Sequence, residues 1–501
     1  MASPIEDDVF ARLKNKTDAA ELQRQQDELN TRLFAQHQKS QERLAELVQD
    51  NTSLPVTISS VRVLHANRTR RGFLEKVVNP ILSANRDGGC TLEEALSEVG
   101  NATDKLNRLG IFKSPISVFL DRPDPSNAAS APTDVDVYIS AHERGNYTIK
   151  TGTEAGASEA DAYVHAELRN LFGGAETLNA HGSLGTRTRS AYSLAFDTPV
   201  LSNPDFKWQV NGFASSVLKS WASHEEVQKG ANTKLLWRSR TGHEHSFGYS
   251  GIWRQVTSLA DNASPTVRAD AGDSFKSSLT HTWTNDKRDY PLLPSSGYLM
   301  KTVSELAGFS ALGGDASFFK TEAESQVALP FGSTGITLTA GLRGGLLYPL
   351  APGGSRINDR FQLGGPNSVR GFRLGGLGPH DGADAVGGDV FAAGGASLLL
   401  PVPRVGKETP LRVQAFINGG RLLALKGAKS DDGTFAGDAR ESLKKAFSDL
   451  KAELPSAAAG VGLVYAHPIA RFEINFSLPL VMRKEEQGRK GLSFGVGIEF
   501  L

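Results

Sequence analysis

The chain has 501 residues, 52 of them glycine, and its 55 basic residues balance its 55 acidic ones. A net charge of zero argues against a general nucleic-acid-binding surface, and no apolar run reaches the roughly 18 residues that a transmembrane helix needs. Cys90 is the single cysteine, which excludes an intramolecular disulfide. Membrane-spanning strands are not excluded, because each needs only about ten alternating residues.

The first 50 residues differ in composition from the rest of the chain. Residues 1–50 are charged, rich in glutamine and free of glycine. Leucines recur along them at a loose helical spacing, at positions 13, 22, 29, 33, 44 and 47. This composition is typical of a polar helix or a disordered arm, with a helix that binds a partner as the alternative.

A small α+β domain is predicted over residues 55–145. Residues 57–66 show the β-branched pattern of a strand, and an amphipathic helix follows. Thr91 and Glu94 form a capping box for a second helix, and Gly110 ends it. Two further strands complete the order strand, helix, helix, strand, strand. About 90 residues can bury a small core of their own.

From residue 146 to the end, the chain consists of strands and turns. We count about sixteen candidate strands, an even number that is typical of outer-membrane barrels. They begin near residues 147, 157, 176, 190, 207, 224, 242, 274, 295, 316, 334, 389, 411, 455, 470 and 490.

The strands alternate between apolar and polar residues. In 470–478, for example, Phe472 and Ile474 alternate with Arg471 and Glu473. A soluble sandwich with outward-facing charges would give the same alternation. The barrel is favoured because the pattern repeats without a second apolar layer, and because closure removes the sheet edges.

One long connection, residues 361–391, separates two of these strands. It is rich in glycine and low in helix formers, and connections of this length are usually functional or disordered. Val369 and Phe372 bracket Arg370 with apolar side chains, which favours a folded plug over a mobile surface loop.

The tetrad Val369, Arg370, Gly371 and Phe372, placed before the last five strands, resembles the signature loop of a known superfamily. These are the outer-membrane-protein insertases and two-partner-secretion pores, whose barrels hold an Arg-Gly-Phe or Arg-Gly-Tyr tip in the lumen. The resemblance implies a lumen-folded loop here. The order of elements in 55–145 is similar to the POTRA domain of the same superfamily, which handles polypeptide. The expected fold is therefore mainly β: a 16-stranded antiparallel transmembrane barrel over 146–501, with one N-terminal POTRA-like domain.

The resemblance also implies an anchor for Arg370 on the thirteenth strand, where the family has an aspartate before two glycines. The matching positions are Asn418, Gly419 and Gly420, and strand alternation turns Asn418 inward. Since asparagine is neutral, the charge for Arg370 is expected from another inward carboxylate, Glu473 or Asp389.

The C-terminal strand fits a polar-x-Gly-x-x-apolar-x-apolar pattern through Ser493, Gly495, Ile498 and Phe500. This pattern matches the mitochondrial β-signal. Together with a single POTRA-like domain and no secretory signal, it makes the chain similar to the core barrels of the mitochondrial sorting and assembly machinery. The resemblance implies an outer-membrane insertase whose POTRA-like domain lies in the intermembrane space. Implied partners are accessory subunits on the cytosolic face, membrane lipid, and β-barrel precursors such as porin and the general import pore.

We predict a lateral gate between the first and last strands. The first strand is among the least apolar, and its gate residues are Tyr147, Ile149, Lys150, Thr151, Gly152 and Thr153. The last strand contributes the four β-signal positions. No Walker loop, His-Glu-x-x-His or Gly-x-Ser-x-Gly motif occurs, so we expect no catalytic side chain, metal or cofactor. A translocating pore of the same superfamily and a passive metabolite porin are the alternatives. A porin needs neither the small domain nor the Arg370 loop.

Overall fold

The computed structural model describes residues 46–83, 90–123, 131–155, 160–332, 334–352, 354–403, 409–425, 435–468 and 470–497, with five positions between 32 and 43. Most of the predicted arm, and the gate residues Ile498 and Phe500, lie outside the described residues. The chain divides into two compact units, residues 1–67 with 71–143, and residues 68–70 with 144–501.

The first unit is a small α+β domain with a four-stranded sheet in the order β2-β1-β4-β3. Its elements are β1 (Pro55–Leu64), α1 (Arg71–Ser83), β2 (Cys90–Thr91), α2 (Leu92–Arg108), β3 (Ser117–Asp121) and β4 (Asp134–Ser140). Strand β1 runs parallel to β4. The helices bury the apolar faces that their spacing predicts, including Val77, Ile81, Val99 and Leu106. The short strand β2 was not predicted.

The predicted capping box begins α2. The Thr91 side chain accepts from the Glu94 amide at 3.3 Å, and the Glu94 carboxylate accepts from the Thr91 amide at 3.1 Å. We therefore expect Thr91→Ala to destabilise α2 by about 1 kcal/mol, seen as faster hydrogen–deuterium exchange of its amides. Ser97→Ala, on the exposed face of the same helix, is the control. Equal exchange in the two variants would contradict the role of the cap.

The second unit is a 16-stranded antiparallel sheet in which the strands pair in chain order. Its strands are β5 (Tyr147–Ala155), β6 (Ala160–Arg169), β7 (Thr177–Gly185), β8 (Thr188–Pro199), β9 (Phe206–Lys219), β10 (His224–Arg238), β11 (Glu244–Thr257), β12 (Gly272–Asp286), β13 (Gly297–Ala307), β14 (Phe318–Pro330), β15 (Thr337–Pro349), β18 (Val390–Pro401), β19 (Leu411–Leu423), β20 (Ser456–Ala466), β21 (Arg471–Val481) and β22 (Gly491–Gly497). Two short strands, β16 (His380–Asp381) and β17 (Asp384–Ala385), form a separate hairpin between β15 and β18. The predicted number of strands is confirmed, and each predicted start lies within three residues of the observed one.

Burial along the strands is the reverse of that in a soluble protein. On β21, Arg471 and Glu473 are buried, whereas Phe472 and Ile474 are 40% and 43% exposed. Large apolar side chains are exposed in the same way on most other strands. An apolar outer face and a polar inner face are the properties of a membrane barrel, so the sandwich alternative is excluded.

Two further helices, α3 (Pro265–Ala269) and α4 (Phe435–Ala452), lie in connections between strands. None of the helices in the described part of the chain is both long and apolar enough to cross a membrane.

The sheet has β5 at one end of its strand order and β22 at the other. Within the described residues, β5 pairs with β6 and β22 pairs with β21, and the expected pairing of 147–154 with 490–501 is not made. Residues 498–501, which belong to that pairing, lie outside the described part. Both strands therefore carry an edge that is available to another strand.

Candidate functional site

The long connection between β15 and β18 is folded against the inner wall of the barrel. It covers residues 350–389, so it begins before the predicted position 361. We call it the plug loop. Its apolar side chains pack with wall residues in one buried cluster, which includes Phe361, Leu363, Val369, Phe372 and Leu377 from the loop and Phe391, Leu422 and Ala458 from the strands. This packing excludes the disordered alternative.

Arg370 makes a buried, bidentate ion pair with Glu473. Its Nε lies 3.0 Å from Oε2 and its Nη2 lies 3.2 Å from Oε1, with side-chain exposures of 1% and 0%. Arg471 also contacts the Glu473 carboxylate, at 2.5 Å, and Gln414 and Asn475 donate hydrogen bonds to it. Two guanidinium groups therefore share one fully hydrogen-bonded carboxylate, which is the arrangement that a buried charge needs.

Of the two inward carboxylates expected to supply the charge, Glu473 does so, and it lies on β21, the fifteenth strand of the sheet. The position at which the family has its aspartate is on the thirteenth strand, β19. Asn418 does lie on β19 beside Arg370, but it binds the backbone. With the amide oriented so that both groups are satisfied, its nitrogen donates to the Arg370 carbonyl at 3.3 Å and its oxygen accepts from the Arg370 N–H at 2.9 Å. A carboxylate could not supply this donor, so a neutral amide suits the position better than aspartate. Phe416 adds a cation–π contact, with its ring centre 4.9 Å from the guanidinium carbon.

Two glycines allow the loop to approach the wall. Gly371 has a φ of +86°, and a Cβ there would lie 2.6 Å from the Cβ of Ala458. On the wall, a Cβ at Gly420 would lie 2.9 Å from Leu363 of the loop. Any other residue at either position would push the loop away from the strands.

The second carboxylate candidate, Asp389, is not a partner of Arg370 in this structure. It accepts hydrogen bonds from the Ser355 hydroxyl and from the Leu425 amide at 2.8 Å. Burial raises the pKa of the Asp389 carboxyl, against the effect of these hydrogen bonds. Asp389 therefore ties the end of the plug loop to Ser355 near the start of the loop and to Leu425, just after β19.

A second set of contacts, which the sequence pattern did not predict, fixes the plug loop to β11. Asp359 pairs with Arg254 of β11 at 2.6 Å, and both side chains are buried. Lys320 of β14 donates to the Asp359 carbonyl at 2.7 Å and lies 4.4 Å from the ring centre of Phe361. Charged side chains of β11 and β14 thus hold the start of the loop. In the strand order of the sheet, β11 lies opposite to β21.

The β16–β17 hairpin adds two carboxylates at the N-terminus of α3. Asp384 accepts from the Ser223 hydroxyl at 2.5 Å and from the Ser264 amide at 2.7 Å. Asp381 accepts from the Thr266 hydroxyl at 2.6 Å and its amide at 3.1 Å, which lowers the pKa of Asp381. The Asp-Gly pair at 381–382 was a readable hairpin signal.

A fourth set of contacts joins the plug loop to the turn between β21 and β22. Arg373 N–H donates to the Gln487 carbonyl at 3.0 Å, and Gln487 N–H donates to the Gly376 carbonyl at 2.8 Å. Arg489 N–H donates to the Gly371 carbonyl at 2.8 Å. The plug loop therefore connects the last hairpin of the barrel to the connections that follow β9 and β11.

The predicted gate residues lie on the two edge strands. On β5, Tyr147 and Ile149 are 72% and 65% exposed. Lys150, Thr151 and Thr153 are also exposed, and Gly152 is half-buried. On β22, Ser493 and Gly495 are buried. Within the described residues, the structure does not bring the two sets into a hydrogen-bonded ladder.

The contacts of this site hold the plug loop in place. Arg370 and Asp359 of the plug loop bind side chains of the wall, and Asp384 binds a backbone amide. Within the described residues, no group of three or more His, Cys, Asp or Glu side chains could hold a metal ion. The arrangement can hold a loop at a fixed place inside a barrel and leave two strand edges available.

Comparison with known proteins gives one family. The model of the Omp85 superfamily domain matches residues 170–500. A SAM50-like protein of Schizosaccharomyces pombe is 38% identical over 461 residues, covering 91% of this chain and 94% of that protein. The sorting and assembly machinery component 50 homolog A of Xenopus laevis is 31% identical, covering 89% and 91%. The sorting assembly machinery 50 kDa subunit of Saccharomyces cerevisiae is 31% identical, covering 71% and 75%.

Solved structures show the same fold at low identity. The crystal structure of BamA from Haemophilus ducreyi lacking POTRA domains 1–3 matches with a TM-score of 0.68 and 15% identity, covering 88% of this chain and 84% of that one. CdiB from Acinetobacter baumannii matches with a TM-score of 0.51 and 13% identity, covering 88% and 73%.

Proposed function

The chain belongs to the Omp85 superfamily and to its sorting and assembly machinery 50 family, and we propose that it inserts and folds β-barrel precursors in the mitochondrial outer membrane. The observation that carries this proposal is the plug loop, held inside a 16-stranded barrel by the Arg370–Glu473 pair, next to two strands with available edges. The relatives are named as components of a sorting and assembly machinery, which supports a role in assembly.

The proposed reaction takes place at the seam between β5 and β22. In lipid, each unpaired backbone group of an open seam costs several kcal/mol. An incoming precursor strand can supply equivalent hydrogen bonds by strand addition, so the seam can exchange partners at little net cost. A precursor that ends in the same polar-x-Gly-x-x-apolar-x-apolar pattern would replace the C-terminal strand on β5. The free energy comes from the folding of the client, and no nucleotide is needed.

The plug loop supports this exchange by holding the barrel wall. It fixes β21 through Glu473 and β11 through Asp359. The loop can therefore preserve the shape of the wall while the seam is open. A passive metabolite porin needs neither this loop nor the small domain, so we consider the porin a weaker candidate.

The other parts of the chain have supporting roles in this proposal. Residues 55–145 act as a POTRA-like domain in the intermembrane space, where strand addition to a sheet edge guides precursors. Accessory subunits of the sorting and assembly machinery bind to the cytosolic face of the barrel.

Depletion of the chain tests the proposal. In mitochondria isolated from depleted cells, we expect the assembly of radiolabelled porin into its mature form to fall severalfold, because the precursor lacks a seam to pair with. Import of a matrix-targeted precursor at an early time of depletion is the control. Normal porin assembly after depletion, together with ion conductance of the purified chain in planar bilayers, would instead indicate a porin.

A further inference from the structure

One side chain of the plug loop reaches the edge of the last strand. Asn367 Nδ2 donates to the Val496 carbonyl of β22 at 2.9 Å. We propose that Asn367 is a positioning residue that caps the edge of β22 and competes there with any strand that pairs with Val496. This inference rests on the proposed function, because it concerns the strand exchange at the seam.

The direction of the Val496 backbone follows from the ladder. His467 N–H donates to the Ala470 carbonyl at 3.0 Å, which closes the β20–β21 hairpin. Hydrogen-bonded and non-hydrogen-bonded pairs alternate in antiparallel strands, so Tyr465 and Phe472 form a hydrogen-bonded pair two residues further. Phe472 therefore directs its backbone groups to β20, and its pair with Val496 is a non-hydrogen-bonded one. The N–H and C=O of Val496 point away from β21, toward the edge of the sheet.

A second hydrogen bond agrees with this assignment. Ala466 N–H donates to the Pro410 carbonyl, toward β19, as the alternation requires. The Val496 carbonyl is therefore a group that a neighbouring strand would bind. In this structure a side-chain amide takes the place of that strand.

Two asparagine side chains, Asn418 on the wall and Asn367 on the plug loop, bind backbone groups in related ways. Asn418 engages both the N–H and the C=O of Arg370, as a paired strand residue would. Asn367 uses only its donor, and its Oδ1 is buried without a partner in the described part of the chain. Asn367 therefore satisfies one edge carbonyl but completes no ladder. A strand residue can satisfy both backbone groups of Val496 and can displace the amide.

The position of Asn367 connects this cap to the plug loop. It stands three residues before Arg370, whose pair with Glu473 fixes the loop. The cap satisfies a carbonyl that would otherwise be unpaired in lipid while the seam is open. Removing it makes the open seam less favourable and shifts the barrel toward pairing of β5 with β22.

Disulfide formation across the seam measures this shift. In a Cys90→Ser background, Ser493→Cys on β22 is combined in turn with Thr148→Cys and Lys150→Cys on the predicted lumen face of β5, and the faster pair is kept. Asn367→Ala is expected to raise the initial rate of disulfide formation about two- to tenfold, the range that one net hydrogen bond supplies. Asn367→Asp also lacks the N–H donor, so we expect it to raise the initial rate of disulfide formation as well. This variant replaces Asn367→Ala in the experiment if the alanine variant folds poorly.

Ser368→Ala is the matched control and should leave the rate unchanged. A rate in both Asn367 variants that equals or falls below that of the parent would overturn the proposal, as would a lower melting temperature without faster disulfide formation. The depletion assay separates the two hypotheses. If porin assembly requires the chain but the disulfide rate does not change, the cap is wrong and the insertase proposal stands; if assembly does not require the chain, the insertase proposal fails.

Discussion

Arg370→Ala is expected to destabilise the barrel by about 3 kcal/mol, because it removes one member of a buried, hydrogen-bonded ion cluster. The variant loses both hydrogen bonds to Glu473, the contact with Phe416 and part of the packing that holds the plug loop. Thermal unfolding of the purified barrel measures the loss, and porin assembly in mitochondria should fall with it. Arg373→Ala is the matched control, because Arg373 belongs to the same loop but has an exposed side chain.

The charges of the cluster also predict how the variants rank in stability. Two guanidinium groups share one carboxylate, so Arg370→Ala leaves a neutral pair of Arg471 and Glu473. Glu473→Gln instead leaves two buried cations side by side, and it should destabilise the barrel more than Arg370→Ala does. The double variant should lose less than the sum of the single losses, because the residues are coupled. Additive losses, or an unchanged melting profile in Arg370→Ala, would show that the pair does not hold the loop.

The strands could be predicted from the sequence because their signal is local. Side-chain period two and turn residues specify each strand without knowledge of its neighbours. The same rule predicts that Glu473 and Asn418 point into the lumen. Local periodicity cannot say which inward residue meets a given loop residue, since that depends on the path of the loop through the lumen. For this reason the sequence leaves Glu473 and Asp389 as alternatives, and the path of the plug loop brings Arg370 to Glu473 on β21.

The contacts that the sequence did not predict also join residues that are far apart in the chain. Asp381 and Asp384 are recognisable as hairpin residues, but nothing near them in sequence indicates that α3 would supply the amides they accept. Asn367 stands in a Gly-Pro-Asn-Ser run that is typical of a turn. Its bond to Val496 joins residues 129 positions apart. Contacts over such separations are set by the path of the plug loop through the barrel and cannot be read from local patterns.

Locking the seam should abolish client assembly more completely than any single substitution. With Cys90→Ser, cysteines at Lys150 and Ser493 would join β5 to β22 by a disulfide, after which neither edge is available to a precursor. We expect porin assembly to fall to background when the disulfide is formed and to recover on reduction. The physical reason is that the proposed working element is a backbone edge, which no side-chain substitution removes.

The control for this experiment is a disulfide elsewhere in the same wall. Ser304 of β13 and Thr321 of β14 face each other with their hydroxyl oxygens 3.2 Å apart, so cysteines there can be joined without opening any edge. That disulfide should leave assembly intact, which separates loss of the gate from general stiffening of the barrel. A precursor's C-terminal strand should also crosslink to cysteines along 147–154 in one register. Undiminished assembly through a locked seam would exclude the lateral gate, because in lipid the client strand would then have no backbone edge on which to fold.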